Sequence, residues 1–485
     1  MRVNQESVKK WFATTADLVV EHIDEPNGRV RLYFLQSMAD RKLVYEEVIP
    51  KLRMLNLRTV TIEQVEAGIG FSASHRLNRQ EDVIAALLGG GIYIHVQGEA
   101  FGIAIPSDGT SSRSISSPEI EANVLGPQLA FVESLDINIG IIRKYLPTAQ
   151  LMHERVDVGR TMPTEVAILY LDGIADEENV NTLRQRISGL TVDGVTDSSI
   201  LGQYIADNET SVFPLLQSTQ RPDRVVASLR QGQIAVVVQG SPFVLLGPTN
   251  LLQFFQSPDD FYFRWGLATF IRLIRLVSMV LSLLLAPAYV ASLTFHYELI
   301  PADLLMSLAQ SRSRVPFPPL FEALLMEGII ELLREAGARL PTKVGQTIGI
   351  VGGIVIGQAT VQAGFTSNIL IIIVALGALA SFIAPSYMLG SAVRVIRFPM
   401  ILLAGTLGGI GIAIGFSFLL SHLFRQTSLG RPYLSPVYPL RISDLKDSFI
   451  RVPLSLISMR PYFLRTNRVK QFDPAVGIEH KDIDE

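Results

Sequence analysis

Two glutamines one helical turn apart, Gln358 and Gln362, sit inside a run from Val344 to Val393 that carries no charge. Gln346, Thr360 and Asn368 add to its polar minority. An amide in an apolar phase must find a hydrogen-bond partner or water. These residues therefore either tie neighbouring helices together or line a wet path for ions. A second set lies upstream, where Glu327, Glu331 and Glu335 form an i, i+4 ladder with Arg334 nearby. In that segment, Pro316 to Leu340, residues Leu320, Leu324, Leu325, Ile329, Leu332 and Leu333 follow helical spacing. Such an amphipathic helix could lie in a membrane interface, dock on a soluble part or line a wet pore.

Other chemistry has little to stand on. There is no cysteine, which removes thiolate ligands and nucleophiles. No G-x-x-x-x-G-K-[ST] occurs, and the Gly-rich GGIGIAIG at Gly408 to Gly415 lies inside an apolar run. No H-E-x-x-H occurs either, and the histidines are scattered, His153 in a polar loop, His296 and His422 at the ends of apolar runs. Asp40, Asp172 and Asp176 follow strand-like runs where an α/β domain could hold a metal, yet each precedes a helix and fits a turn or cap role better. The apolar runs hold no Asp, Glu, Lys or Arg, which argues against a proton-coupled relay. A net charge of −3 gives no basic field for nucleic acid. The expectation is a protein that is not an enzyme, with no cofactor, metal or nucleic-acid partner.

The elements that must position these side chains divide near residue 266. A chain of 485 residues exceeds a single core. Its 18% charged residues fall below the ordinary share of about 25%, and the apolar excess is concentrated in three chargeless runs: Leu276 to Phe295, Val344 to Val393 and Phe398 to Phe424. About 20 apolar residues cross a membrane as a helix, so these runs predict four spans, or five if the amphipathic helix also crosses. The middle run turns around Gly364, Thr366, Ser367 and Asn368 to make a helical hairpin. Gly349, Gly353 and Gly357, with the pairs Gly405/Gly409 and Gly411/Gly415, have the small-xxx-small spacing of close helix contacts. Arg264, Arg272 and Arg275 before the first run and the basic tail after the last put both ends in the cytoplasm, although Arg394 and Arg397 then fall on the far side, against the positive-inside rule. The first thirty residues hold no apolar stretch of signal-peptide length, which also predicts a cytoplasmic N-terminal part.

That part contains a repeat. RLYFLQSMAD, ending at Asp40, matches AILYLDGIAD, ending at Asp176, and Val83 to Pro106 aligns without gaps to Val225 to Pro248. The shared residues include Gly90 with Gly232, Gln97 with Gln239, Gly98 with Gly240 and Phe101 with Phe243. Each copy reads strand, helix, helix, strand, turn, strand. The predicted fold class is two related α/β domains followed by an all-α polytopic bundle. Its divisions are 1–113, first copy; 114–265, a connecting helix in Gly126 to Leu146 plus the second copy; 266–424, membrane domain; and 425–485, basic cytoplasmic tail.

GRTMPTEVAILYLDGIAD, GPQLAFVESLDINIGIIRKYL, FPPLFEALLMEGIIELLREAGARLP followed by GQTIGIVGGIVIGQATVQAG, and GRPYLSPVYPLRISDLKDSFIRVP together resemble the A subunit of GerA-type spore germination receptors. The likeness covers roughly residues 115 to 460, and a paralogue encoded with a dipicolinate channel shares these segments. The resemblance implies the inner membrane of a dormant spore, a transporter-like B subunit and a C lipoprotein as partners, and a homo-oligomer, expected to be a pentamer, that acts as a nutrient-gated ion channel in membrane lipid. On that reading Gln358, Val361 and Gln362 are candidates for the pore or gate, and Glu322, Glu327 and Glu331 for cation-attracting rings. A non-conducting scaffold and a stand-alone secondary transporter are the competing readings.

Overall fold

The computed structural model describes residues 12, 15–23, 29–55, 60–71, 73–107, 118, 121, 125–340, 342–453 and 456–472, without the side chains of 342–351. The expected boundary at 113/114, the side chain of Gln346 and the packing of Gly349 therefore lie outside the described residues.

The first sheet is built from β1 (Leu18–His22), β2 (Val30–Leu35), β3 (His75–Leu77), β4 (Ile92–Val96) and β5 (Gly102–Ile105), in the order β1-β2-β4-β5-β3. Between β2 and β3 run a π-turn (Leu43–Val48), α1 (Ile49–Arg53) and α2 (Ile62–Ile69); α3 (Gln80–Leu88) precedes β4. After α4 (Leu135–Tyr145) the second sheet repeats the plan with β6 (Leu151–Val158), β7 (Thr164–Leu171), β8 (Gln217–Thr219), β9 (Ile234–Val238) and β10 (Val244–Gly247), in the order β6-β7-β9-β10-β8. Its helices are α5 (Glu177–Ser188), α6 (Ser198–Ile205) and α7 (Pro222–Gln231). Strand for strand the topology is the same, and the aligned glycines explain why: Gly90 and Gly232 end a helix at φ 85° and 99°, and Gly98 and Gly240 turn a hairpin at φ 95° and 89°. Only glycine takes that region freely.

The expected connecting helix is shorter than its periodicity suggests and starts at Leu135, after the N-cap Ser134. Its Leu135, Ile139 and Ile142 join the core of the second sheet. Its Arg143 reaches the first copy, where Nε donates to Asp17 Oδ2 at 2.6 Å and Nη2 to Thr15 Oγ1 at 2.9 Å. Burial alone would push the Asp17 carboxyl up, but the Arg143 charge and the hydrogen bonds from Ser37 hold it below the ordinary carboxylate range.

The remainder is helical: α8 (Asp259–Tyr262), α9 (Trp265–Thr294), α10 (Ala302–Arg312), α11 (Pro319–Arg339), α12 (Thr342–Gln362), α13 (Asn368–Phe382) and α14 (Tyr387–Arg425), followed by the hairpin β11 (Thr427–Ser428) and β12 (Arg431–Pro432). By length and composition α9 and α14 can cross a membrane, and α13 is a shorter apolar helix. α14 is not one rod. At Gly408, φ 62° and ψ −140°, the chain reverses. A Cβ built on Gly411 would strike the carbonyl of Leu403, and one on Gly415 the sulfur of Met400. Two antiparallel arms result, 387–407 and 409–425, so the run Phe398 to Phe424 is a hairpin tip and one arm, not the single span that its lack of charge suggests.

Contacts fix the direction of every pass. Leu389 and Leu423, from the two arms, pack with Phe213 and Phe254 at the sheet end, while the tip at Gly408 meets Phe295 and His296 beyond the far end of α9. His296 Nε2 accepts from Gly409 N at 3.0 Å, which satisfies one exposed donor at the start of the second arm. Along α11, Leu320 lies against Gly405, Glu327 against Arg397 and Glu331 against Arg394, so it runs back toward the sheets. α12 goes out again, α13 returns from Ser367 beside Tyr289 to Ser381 beside Arg334, and the arms of α14 complete six passes among the described residues.

Gly408 lies in a region that is essentially glycine-only, and an added Cβ would sit 2.8 Å from that of Phe295. Gly408→Ala is expected to cost about 1–3 kcal/mol, lowering the thermal midpoint of the purified chain in detergent. Gly328→Ala, on a helix with open space around the added methyl, should leave that midpoint unchanged or raised.

Candidate functional site

The predicted carboxylates all lie on α11, and each meets an arginine from another element. Glu322 is fully buried; it accepts from Ser367 N at 2.5 Å and Thr366 Oγ1 at 3.1 Å, and Arg312 approaches to 3.3 Å. A carboxylate there caps the N-terminus of α13 and favours its dipole. Glu327 pairs with Arg397 at 2.6 Å, both buried. The same guanidinium donates to Ser282 Oγ on α9 and to the carbonyl of Gly377 on α13, so four helices meet on one side chain. Glu331, partly exposed, holds Arg394 at 3.2 Å, and Arg334 turns to Ser381 and lies over the Phe382 ring. The i, i+4 ladder thus divides: Glu335 pairs locally with Arg339 in solvent, while the others pair across helices. Within one chain these carboxylates form a neutralised column and not an open row of negative charge.

The amides behave differently. Gln358 and Gln362 are exposed, Val361 is half-buried between them, and neither amide has a partner among the described residues. Thr360 spends its hydroxyl on the carbonyls of Ile356 and Gly357 in its own helix. Cβ atoms built on Gly353 and Gly357 would meet nothing, whereas Gly352 approaches Leu333 of α11. α12 therefore leans on α11 and turns a glycine- and amide-bearing face outward. Among the described residues, Gln358 and Gln362 make none of the interhelical hydrogen bonds considered for them. Gly405, Gly409, Gly411 and Gly415, in contrast, are all used for packing inside it.

Sequence reasoning missed the joint between the second sheet and the bundle. Asp207 accepts from Arg186 at 2.5 Å, from the backbone N–H groups of Leu429 and Gly430 at 2.9 Å each, and from Thr427 Oγ1. Arg431 donates to Asn179 at 2.7 Å, Asp176 at 2.5 Å and Glu178 at 2.9 Å. The β11–β12 hairpin, directly after the last pass, is thereby bolted onto α5 and the α6–β8 loop. Asp176 is also the N-cap of α5, as its position after a strand suggests. The hairpin and its partners lie more than two hundred positions apart, and no local pattern marks them. For Arg394 and Arg397 a signal did exist: two cations at the rim of apolar runs require counter-charges, and Glu327 and Glu331 have nearly the matching antiparallel spacing.

The described residues thus form a duplicated α/β unit bolted to a helical bundle with a neutralised ion-pair column and an outward amide face. Residues 6–463 match the family described as Bacillus/Clostridium GerA spore germination protein, and the chain belongs to that family. It is 45% identical over 470 residues, 97% of this chain and 94% of the relative, to "Spore germination protein GerQA" of Bacillus cereus. It is 38% identical over 439 residues, 90% of this chain and 91% of the relative, to "Spore germination protein A1" of Bacillus subtilis (strain 168). A crystal structure of the N-terminal domain of the A subunit of the Bacillus megaterium spore germinant receptor GerK3 aligns with 50% of this chain and 93% of its own, at TM-score 0.39 and 23% identity.

Two outcomes are expected. Arg397→Gln leaves Glu327 buried and uncompensated and should lose about 3–5 kcal/mol of bundle stability, whereas Arg397→Met with Glu327→Met should recover most of it; denaturant titration of the detergent-solubilised chain reads both. At the joint, burial would raise the Asp207 carboxyl, but the hydrogen bonds from Thr427, Gly430 and Arg186, with the Arg186 charge, hold it below the ordinary range. A carboxylate depressed in the folded state stabilises above the unfolded value, about 3.9, and that contribution fades as pH falls through the folded value. Amide-exchange protection at 427–431 should therefore be lost below about pH 4, and Asp207→Asn should lack that protection at neutral pH too, without the acid step.

Proposed function

We propose that this chain is the A-type subunit of a spore germinant receptor and that several copies surround a cation path lined by α12, opened by a movement passed on from nutrient-sensing partners. The observation that carries this reading is the outward face of α12. Two unpartnered amides, one turn apart and beside glycines with open space, would be costly against lipid tails, so the face calls for water or a second copy of the chain. The half-buried Val361 between them supplies the apolar constriction that closes a pore by dewetting. Carboxylates released from the arginines of the column, Glu322, Glu327 and Glu331, would favour cations.

The partners in this reading are a transporter-like B subunit and a C lipoprotein, with a pentamer as the number of copies; these follow from the resemblance to the receptor family. The six passes are proposed as six membrane crossings in place of four or five. That count keeps the sheets and the tail on one side, in the cytoplasm, and draws Arg394 to the same half, which relieves the conflict with the positive-inside rule. The location is the inner membrane of the spore. A non-conducting scaffold is favoured by one observation, the pairing of every α11 carboxylate that was expected to face a pore. A secondary transporter finds less support, since the break at Gly408 is a hairpin tip and not a mid-membrane interruption.

Conductance in planar bilayers separates the two main readings. Oligomers purified with their partner subunits should carry cation-selective current on nutrient addition, and Gln358→Leu with Gln362→Leu should reduce it at least tenfold, on the scale of about 1–2 kcal/mol for each lost polar contact. Full current from the double variant would remove α12 from the path; silence of the wild-type assembly would favour the scaffold.

A further inference from the structure

The segment after the hairpin, 433–453, wraps the sheet end of the bundle and is tied to the first turns of α9. Thr269 Oγ1 donates to the Arg451 carbonyl at 3.0 Å and accepts from its N–H at 3.1 Å. Asp447 is engaged by Arg451 at 2.8 Å and Arg272 at 3.7 Å, and Asp444 accepts from the Tyr462 N–H at 2.9 Å. Both acidic groups of this wrap are thus engaged within the chain. Its outward face is apolar and basic: Tyr438, Leu440 and Ile442 are 57%, 67% and 72% exposed, and Tyr438 sits edge-on to Phe424 at the last turn of α14. Arg441 lies 3.5 Å over the Tyr462 ring, and among the described residues Arg264, Arg425, Arg441 and Lys446 make no ion pair. The strip continues into the outward stripe of α9, through Trp265, Leu267, Phe270 and Leu273, all exposed.

Aromatic rings, aliphatic side chains and arginines interleaved at the end of apolar helices have the composition of a membrane–water boundary. Among the described residues these cations pair with no carboxylate, and an anionic phosphate complements them. We propose that this collar binds the headgroups of anionic lipids in the leaflet at the sheet end, with Arg425, Arg441 and Lys446 on phosphates and Tyr438, Leu440 and Ile442 between the acyl chain ends. This rests on the membrane reading above. It assigns to the tail a lipid preference that fixes the depth of the bundle and holds the β11–β12 joint at a set height.

The test is native mass spectrometry of the full chain in detergent, titrated with phosphatidylglycerol or phosphatidylcholine. The wild type should retain phosphatidylglycerol in preference, and Arg441→Gln with Lys446→Gln should lower that retention by roughly tenfold or more, at about fivefold for each basic side chain lost near an anionic surface, while phosphatidylcholine retention stays unchanged. Leu440→Ser with Ile442→Ser should weaken both lipids. Equal retention of the two lipids by the wild type overturns the proposal, as does an unchanged preference in the charge variant. A change in oligomer mass without a change in lipid retention in the Leu440/Ile442 variant also overturns it, in favour of a second copy on this strip. Alkaline carbonate extraction from phosphatidylcholine vesicles keeps the two levels apart. A chain that resists extraction but shows no lipid preference defeats only this inference, and a chain that is stripped off defeats the membrane reading itself.

Discussion

A charge in an apolar bundle must be paired, because removing it from water costs several kcal/mol that only a well-placed partner returns. Glu327 and Arg397 obey that constraint, and the register of the helices follows from them. Arg397 bonds Glu327 on α11, Ser282 on α9 and Gly377 on α13 from its place on α14. Sliding any of these helices by one residue along its axis, about 1.5 Å, would strand a buried charge. Apolar packing alone tolerates such slips, since Leu, Ile and Val surfaces repeat. The ion-pair column therefore acts as the index of the bundle, and Glu322 at the N-terminus of α13 and Glu331 with Arg394 extend it toward both ends.

The same physics joins the tiers. The first copy is fixed to α4 by a wholly buried Arg143–Asp17 pair, α4 belongs to the core of the second sheet, and that sheet holds the tail hairpin through Asp207 and Arg431. The second arm of α14 ends two residues before that hairpin begins. The α/β copies are thus joined by ion pairs to an arm that packs along α9 and whose partner arm carries Arg397.

How much of this could be read in the sequence depended on range. The duplicated sheets were legible because their requirements are local: Gly90, Gly98 and their partners Gly232 and Gly240 sit where φ must be positive, and strand periodicity surrounds them. The family, too, was legible from segments kept in the same order. The bundle was less so. A chargeless run records where a helix is apolar but not where it turns, and Gly408 lies among so many glycines that its reversal leaves no mark. The glutamates of α11 were visible as a ladder, yet the partners of Glu327 and Glu331 are 70 and 63 positions away, and the tail groups that bond Asp207 more than two hundred. Side chains that meet only after the chain has folded back leave no spacing to detect.

The two outward surfaces of the bundle make different demands. The stripe of α9 from Trp265 to Val280 is apolar and aromatic and, on the membrane reading, needs nothing beyond lipid tails and a boundary. Among the described residues, the face of α12 holds Gln358 and Gln362 with no partner, and Gly353 and Gly357 with open space around them. One environment does not suit both. An arrangement that gives α9 to lipid and turns α12 toward its own copies satisfies each surface with the residues it has, because the glycines allow close approach and the amides accept either water or one another. On the pore reading, the sequence that looks least like a functional motif, a glycine-rich helix with two amides, is the part of the chain that requires assembly.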